Sequence, residues 1–206
     1  MFQLNQLATE QVGPCQLTLN PGEIVAISGA SGIGKSLLLQ ACADLIPHRG
    51  EVRLNGVSAV DFGPSVWRRQ VSYLGPTSCW WRYCAGDHFP SPLTPQLHSW
   101  FLQVGLKPAI LEQVAVTLSS GERQRLALLR LLQQGPTILL LDEPTSFLDS
   151  AGKILVEQLV QEYLAADQQR AAIWVTHDLE QLERVGDRAL WLADQLTTWS
   201  GRGVSC

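Results

Sequence analysis

The apolar residues of the chain fall into short runs separated by longer stretches of mixed character. Runs of four or five mainly apolar residues predict strands that are buried on both faces. They cover residues 24–28, 71–74, 137–141, 172–175 and 189–192, and we expect the fifth to be the last strand. The stretches between them predict helices over 37–43, 95–104, 122–134, 151–168 and 178–185, the fourth capped by Ser150. Alternating strands and helices predict a mostly parallel sheet with helices on its faces.

The beginning of the chain follows a different pattern, because polar and apolar residues alternate there. Alternation over residues 2–7 and 16–19 predicts a small N-terminal antiparallel β part, and a further strand is expected at 51–54. Residues of about 77–131 are more helical, and we expect them to form a subdomain inserted in the α/β body. Since no linker is long enough to separate two domains, a single domain is expected over 1–206.

Composition and charge narrow the class of protein. The chain has 206 residues, of which 46% are hydrophobic and 17% charged, as is typical of a globular protein with one sizeable core. Its formal net charge of −4 argues against nucleic acid as a partner, because nucleic acid binds basic surfaces. The longest aliphatic runs, such as 138–141, are too short to span a bilayer.

The cysteine pattern predicts reduced thiols. The five cysteines lie at positions 15, 42, 79, 84 and 206, and no two form a C-x-x-C pair. A metal or redox pair of Cys79 and Cys84 is the less favoured alternative, because no third ligand follows at suitable spacing.

The segment between the first buried strand and the first helix carries the clearest chemistry. It fits the phosphate-binding pattern G-x-x-x-x-G-K-[ST] and consists of Gly29, Ala30, Ser31, Gly32, Ile33, Gly34, Lys35 and Ser36. The backbone N–H groups of such a loop and the following helix N-terminus attract a triphosphate. We expect Lys35 to reach the β- and γ-phosphates and the Ser36 hydroxyl to bind Mg²⁺. A glycine-rich turn before a core helix is the simpler interpretation, which the flanking strand and helix disfavour.

Two further buried strands end in polar residues that suit nucleotide chemistry. Asp142 and Glu143 follow strand 137–141, at the sheet edge where open α/β proteins bind ligands. Asp142 is expected to hold Mg²⁺, and Glu143 to act as a general base towards the attacking water. His177, after strand 172–175, is a candidate sensor of the γ-phosphate. Solvated acids and a structural histidine are the simpler interpretations, which the phosphate loop disfavours.

A second helix N-terminus decides the family. Its sequence is Leu118-Ser119-Ser120-Gly121-Glu122-Arg123-Gln124-Arg125, which resembles the L-S-G-G-Q signature of ABC ATPases. The other motifs of that family occur in order, namely the phosphate loop at 29–36, Leu141-Asp142-Glu143-Pro144, Ser146-Phe147-Leu148-Asp149 and Thr176-His177-Asp178. The chain therefore resembles, over nearly its whole length, an ATP-binding subunit of an ABC transporter, which is an α/β protein of the P-loop NTPase class.

The resemblance implies an ATPase that works as a dimer at a membrane. One ATP with Mg²⁺ would lie between the phosphate loop of one copy and the signature of a second copy. The signature residues concerned are Ser119, Ser120, Gly121 and Glu122. The family's further roles fall on Glu143 as catalytic base, His177 as switch histidine and Asp149 in the loop that couples the copies. The other implied partner is a transmembrane permease subunit, which places the chain at the cytoplasmic face of the cell membrane.

Two departures from the family pattern bear on the chemistry. Transporter ATPases usually have Gln where this chain has Pro76, and proline offers no side-chain donor or acceptor. The family also stacks adenine on an aromatic ring after the first strand, whereas residues 7–13 contain no ring.

Residues 75–95, after the predicted strand 71–74, are rich in Pro, Gly, Ser and aromatic side chains and predict an exposed connecting segment. Its Trp80, Trp81 and Tyr83 suit either the core or a contact with the membrane partner.

Several more specific functions are known within this family, and the sequence favours some of them over others. The short chain and the stretches 71–73 and 174–178 are similar to small ATPases of bacterial iron or metal exporters, with the haem-export ATPases of cytochrome c maturation as a second candidate. A soluble ABC ATPase of DNA repair is disfavoured, because no heptads lie between the phosphate loop and the signature. A nucleotide-binding regulatory module with little turnover is the alternative that Pro76 favours.

Overall fold

Two β-sheets with flanking helices make up the computed structural model, which describes residues 1–193 and 196–198. The strands are β1 (Phe2–Ala8), β2 (Cys15–Leu19), β3 (Ile24–Ser28), β4 (Arg49–Leu54), β5 (Val57–Ser58), β6 (Val71–Leu74), β7 (Ile138–Asp142), β8 (Ala171–Val175), β9 (Arg188–Leu192) and β10 (Leu196–Thr198). The helices are α1 (Lys35–Cys42), α2 (Pro64–Gln70), α3 (Pro95–Gln103), α4 (Ser120–Leu132), α5 (Ser150–Ala165) and α6 (Leu179–Val185). Short 3₁₀ turns lie at Ala59–Asp61, Ala85–His88, Pro108–Glu112 and Ala115–Thr117.

The larger sheet has six strands in the order β10-β9-β3-β8-β7-β6, and the strands from β9 to β6 run parallel. Every residue of β3, β7 and β8 is buried, which explains the uninterrupted apolar runs in the sequence. Asp142 lies opposite Val175, so the carboxyl ends of β7 and β8 are level. The predicted α/β fold with a mostly parallel sheet is confirmed.

The expectation that residues 189–192 form the last strand is wrong. Leu196–Thr198 form β10, which pairs antiparallel with β9 and places Thr197 opposite Trp191. A strand of three residues with two threonines carries no apolar run, so the hydrophobic pattern could not indicate it.

The smaller sheet is antiparallel, with the order β2-β1-β4-β5. Burial alternates along β2, where Cys15, Leu17 and Leu19 are buried and the residues between them are exposed. The buried side of this sheet packs, together with α1, on one face of the larger sheet. This arrangement agrees with the predicted small N-terminal antiparallel β part.

The core lies on both faces of the larger sheet, because successive side chains of a strand point to opposite sides. Val25 and Ile27 of β3 pack in the cluster with α1 and the smaller sheet. Ile24 and Ala26 of the same strand pack in the other cluster, with α3, α4, α5 and α6. The carboxyl edge of the sheet is thereby held rigidly between two layers.

The helix after residue 148 differs from its prediction. Its N-cap is Asp149, whose Oδ1 accepts a hydrogen bond from Gly152 N at 2.8 Å, and not Ser150. The helix ends at Ala165, three residues before the predicted end. Aspartate and serine are both strong N-caps, so the sequence alone did not distinguish the two neighbours.

Residues 77–131 contain α3, most of α4 and three of the 3₁₀ turns. Thr94 caps α3 through a hydrogen bond from Leu97 N to its side chain. Leu97 and Phe101 of α3 are buried in the same cluster as Leu126 of α4. The division of the chain into one domain with an inserted helical subdomain stays a prediction.

Within residues 1–193 and 196–198, every helix is too short or too polar to cross a membrane.

Candidate functional site

The phosphate-binding segment lies between β3 and α1, and its last two residues begin the helix. Gly34 is the N-cap of α1 and adopts a left-handed conformation with φ 101°. A Cβ atom there would also lie 2.1 Å from Cγ2 of Val12, so the position requires glycine on two grounds. Val12 belongs to the ring-free stretch before β2, and the sequence did not indicate that it packs against this loop.

The side chain of Lys35 is buried against the first residues of the phosphate loop. Its Nζ donates hydrogen bonds to the backbone oxygens of Gly29 and Ala30, both at 2.9 Å. Burial lowers the pKa of Lys35, and the carboxylates of Glu143 and Asp142 oppose that change. The lysine therefore lies inside the loop and close to both acids that the sequence assigns to the site.

Asp142 ends β7 and is almost completely buried, with 2% of its surface exposed. The Tyr73 hydroxyl, from neighbouring β6, donates a hydrogen bond to its Oδ2 at 2.9 Å. Gln40 of α1 in turn donates to the Tyr73 oxygen at 3.4 Å. Burial raises the pKa of Tyr73, so the phenol stays a donor. Nothing in the local sequence indicated a role for this tyrosine, which lies 69 residues from its partner.

Glu143 and His177 meet at the carboxyl ends of β7 and β8. Glu143 Oε1 lies 2.9 Å from His177 Nε2. The backbone of Glu143 has φ 50°, which is uncommon for a residue other than glycine, and its N–H donates to Val175 O at 3.0 Å. The structure thus brings together two of the predicted catalytic residues, and the third, Lys35, is close enough to interact electrostatically with Glu143.

A polar cavity of about 150 Å³ adjoins this pair. Its lining comes from Glu143, Thr145, Ser146, Lys153, Thr176, His177, Asp178 and Gln181. Lys153 Nζ and Asp178 Oδ2 form an ion pair at 2.7 Å on the rim of the site. Gln181 is 1% exposed and was not singled out by the sequence, because nothing local marks it as different from any other helical glutamine.

The signature residues form the N-terminus of α4. Ser119 is the N-cap and accepts a hydrogen bond from Glu122 N, while Glu122 Oε2 accepts from Ser119 N at 2.8 Å. The Ser119 hydroxyl also donates to Glu122 Oε2 at 2.7 Å, and this bond, with the one from Ser119 N, holds the pKa of Glu122 below its usual range. Gly121 packs against the segment before α5, since a Cβ there would lie 3.1 Å from Phe147 O.

Among the described residues, no hydrogen bond or ion pair joins Ser119, Ser120, Gly121 or Glu122 to the segment 29–36. Ser119 and Ser120 are exposed, as is Phe147 beside them. Asp149, expected in the coupling loop, uses its carboxylate as the cap of α5.

The segment after β6 divides its aromatic residues between the core and the surface. Trp80 packs partly buried against the core, whereas Trp81 and Tyr83 are 69% and 75% exposed. The guanidinium of Arg130 lies 4.5 Å and 4.8 Å from the ring centroids of Trp80 and Trp81.

The cysteines agree with the expectation of free thiols where they can be seen. Cys42, Cys79 and Cys84 are free thiols, Cys15 forms no disulfide with any of them, and Cys206 lies outside the described residues. Over the described ranges, no group of three or more His, Cys, Asp or Glu side chains could hold a metal ion, including around Cys79 and Cys84.

Comparisons with known proteins place this geometry in a family. The ABC transporter family profile matches residues 12–146. A probable iron export ATP-binding protein, FetA of Escherichia coli K12, is 37% identical over 174 residues, which are 80% of this chain and 77% of that protein. The thiamine import ATP-binding protein ThiQ of the same organism is 36% identical over 90% of this chain and 83% of its own length.

A solved structure shares the fold. The dimeric ATP-binding cassette MJ0796, in a post-hydrolysis state bound to ADP and Pi, superposes with a TM-score of 0.81 at 23% identity, covering 99% of this chain and all of that one. The order of the motifs, the two-sheet fold and the relatives all indicate the same family. The chain belongs to the ABC transporter family and is one of its ATP-binding ATPases.

Proposed function

We propose that this chain hydrolyses ATP with Mg²⁺ and thereby powers a separate membrane subunit. The observation that carries the proposal is the set of polar side chains at one edge of the larger sheet. Lys35 lies inside the phosphate loop, Asp142 is buried beside it, and Glu143 and His177 are 2.9 Å apart. This edge is where open parallel sheets bind their ligands.

The metal-binding role rests on the chemistry of the donors. Mg²⁺ prefers oxygen ligands, and Asp142 and Ser36 offer a carboxylate and a hydroxyl. Asp142 and Ser36 would hold the ion, and the Tyr73 hydroxyl donates to Oδ2 of Asp142 and so orients the carboxylate. When bound, Mg²⁺ neutralises charge that develops on the phosphates.

In the proposed reaction each chain group has a defined task. The loop N–H groups and Lys35 bind the phosphates, and the lysine exchanges its two loop carbonyls for phosphate oxygens. Glu143 accepts a proton from the attacking water, and His177 contacts the γ-phosphate. These two side chains lie 2.9 Å apart, between Glu143 Oε1 and His177 Nε2.

We propose further that two copies complete the site. Ser119, Ser120 and the adjacent Phe147 are exposed, and they surround the N-terminus of a 13-residue helix. The N-terminus of this helix carries partial positive charge. The phosphates of an ATP molecule bound in the phosphate loop of the other copy would neutralise that charge. MJ0796, which has the same fold, is dimeric.

The membrane subunit is proposed to dock at the segment after β6. A groove of about 270 Å³ between β6 and α4 is lined by apolar residues such as Leu45 and Trp81, with the cationic side chains of Arg68 and Arg130. The surface therefore suits a short apolar segment that carries an acidic residue. In native membranes, replacing Trp80, Trp81 and Tyr83 by alanine should release the chain from the membrane fraction, whereas Val60→Ala, at an 85% exposed position elsewhere, should not. Full retention of the triple variant would contradict this docking site.

For the cargo we propose a metal ion such as iron, moved out of the cell, with the chain at the cytoplasmic face of the membrane. Support comes from FetA, which is named for iron export. ThiQ, nearly as similar, is named for thiamine import, so import is the competing outcome. Deleting the protein should raise cellular iron if it serves export; unchanged iron with lower uptake of an organic nutrient would favour import.

The hydrolysis proposal is tested by MgATP turnover of the purified chain, with Glu143→Gln as the blank. We expect the variant to bind ATP and to turn it over roughly 10²–10⁴-fold more slowly, the usual effect of losing a general base. Equal turnover would refute the role of Glu143. Binding without turnover in the natural chain would favour the regulatory module, and Pro76→Gln would show whether the missing glutamine is the cause.

A further inference from the structure

A buried polar cluster lies behind the pair of Glu143 and His177. Its buried members are Thr145, Glu157, Thr176 and Gln181, and Arg184, whose side chain is 43% exposed, bonds to Glu157 at the outer end. Exposed fractions are only 1% for Gln181, 2% for Thr145 and 4% for both Thr176 and Glu157. Polar groups buried this deeply are costly unless they are fully hydrogen-bonded, and a satisfied cluster of this kind fixes one geometry.

Gln181, on α6, is the centre of the cluster. Its Oε1 accepts a hydrogen bond from Thr176 Oγ1 at 2.8 Å, and Thr145 Oγ1 lies 3.1 Å from the same oxygen. Its Nε2 lies 2.7 Å from Glu157 Oε1 and 2.9 Å from Thr145 Oγ1. One amide therefore bonds to two different loops and to helix α5.

The far side of the cluster fixes the orientation of that amide. Glu157 is an acceptor only, so the amide nitrogen of Gln181 must face it and the amide oxygen must face the threonines. Arg184 holds Glu157 in place with bonds from Nε at 2.6 Å and Nη2 at 2.8 Å. Arg184 and Gln181 both belong to α6, so the ion pair also ties α6 to α5.

The two threonines connect the cluster to the catalytic pair through the chain. Thr145 follows Glu143 by two residues, and Thr176 immediately precedes His177. We propose that Gln181 is a positioning residue, which sets the separation of Glu143 and His177 by bonding to both of their loops. This inference rests on the roles proposed above for those two residues. The phosphate loop makes no hydrogen bond to the cluster among the described residues, so Gln181 bears on turnover and not on ATP affinity.

The test is Gln181→Leu, which keeps the approximate volume and removes every hydrogen bond of the amide. Since a misplacement of roughly 1 Å costs about 10²-fold in rate, we expect kcat to fall by about 10-fold or more. The affinity for ATP, measured in the Glu143→Gln background, should stay within about twofold of its value with Gln181 intact.

The matched control is Gln103→Leu. Gln103 also donates a hydrogen bond between elements, to Glu162 of α5 at 2.8 Å, but lies outside this cluster. We expect its kcat to be unchanged. If Gln181 only stabilised the fold, Gln181→Leu would lower the melting temperature while the folded fraction kept its kcat, and that result would overturn the proposal.

Two further designs keep the proposal testable if the leucine variant does not fold. Thr145→Val and Thr176→Val each remove one hydroxyl at constant volume, and both should lower kcat at unchanged ATP affinity. Gln181→Glu alone places two carboxylates 2.7 Å apart and should abolish turnover, whereas adding Glu157→Gln restores one acid and one amide and should recover most of it.

The outcomes separate this inference from the proposed function. A natural chain without turnover would overturn both. An active natural chain whose Gln181→Leu and threonine variants keep kcat within twofold would overturn only the positioning role.

Discussion

The hydrogen bond from Tyr73 to Asp142 gives a sharp test of the proposed Mg²⁺ site. Replacing Tyr73 by Phe removes only the hydroxyl and keeps the ring that packs beside β7. Asp142 is 2% exposed, so the lost donor cannot simply be replaced by bulk water. In the described part of the chain, this is the one hydrogen bond that its carboxylate makes.

The expected magnitude follows from the charge on the acceptor. A hydrogen bond to a charged group contributes about 1.5–3 kcal/mol. At about 1.4 kcal/mol for each tenfold change, this corresponds to roughly 10–150-fold. Removing the partner that orients a metal-binding side chain typically weakens metal affinity by about 10–100-fold. We therefore expect Tyr73→Phe to raise the Mg²⁺ concentration for half-maximal effect by about 10-fold or more.

The assay is ATP binding by titration calorimetry with and without Mg²⁺. Affinity for ATP in excess chelator should be the same for the natural chain and Tyr73→Phe, because the phosphate loop is untouched. Affinity in the presence of limiting Mg²⁺ should be lower in the variant. Tyr83→Phe removes a hydroxyl that is 75% exposed and should behave like the natural chain.

Two results would refute this reasoning. Equal Mg²⁺ dependence in Tyr73→Phe and the natural chain would mean that the hydroxyl does not orient Asp142 towards the ion. An equal loss of affinity with and without Mg²⁺ would mean that the variant disturbs the phosphate loop instead.

Three further predictions concern the loop, the thiols and an ion pair. Gly34→Ala should weaken ATP binding at least about 10-fold in calorimetry. The position has φ 101°, a left-handed conformation that costs L-residues about 1–2 kcal/mol, and the new methyl group would meet the buried side chain of Val12. Unchanged affinity would contradict this prediction. Native-state alkylation read by mass spectrometry should modify exposed Cys79 and spare Cys42, because burial raises the pKa of the Cys42 thiol and leaves it inaccessible; fast labelling of Cys42 would show the core to be open. Lys153 holds the pKa of Asp178 in the folded chain below its usual value. The Asp178 carboxylate therefore stabilises the folded chain at pH values above its pKa in the unfolded chain. This stabilisation is lost as the pH falls through the pKa of Asp178 in the folded chain. Lys153→Met should therefore lower the free energy of urea unfolding by under about 1 kcal/mol at pH 7 and by progressively less as the pH falls, and a difference that does not change with pH would argue against an ionic cause.

The parts of the site that could be predicted are those encoded within a few residues. The phosphate loop, the acids after β7 and the histidine after β8 follow from motif spacing and from buried strands that end at one edge. The capping box of Ser119 and Glu122 is local in the same sense, because its partners are three residues apart.

The parts that escaped prediction depend on long-range packing. Tyr73 reaches Asp142 across 69 residues, and Gln181 reaches Thr145 across 36. Neither residue differs in its local sequence from an ordinary strand tyrosine or helical glutamine. The path of the loop before α5 likewise decides whether Asp149 or Ser150 caps the helix. The two residues are N-caps of similar strength, so the local sequence does not distinguish them.

We propose that ATP is bound between the phosphate loop of one copy and the signature of another. Light scattering on the Glu143→Gln chain, which should bind ATP without consuming it, tests this most directly. We expect saturating MgATP to double the mass from that of one 22.7 kDa chain, and ADP to leave it unchanged. Ser120→Arg should bind ATP and keep the single-chain mass, whereas Val60→Arg should dimerise. A Glu143→Gln chain that binds MgATP but keeps the mass of one copy would contradict the claim.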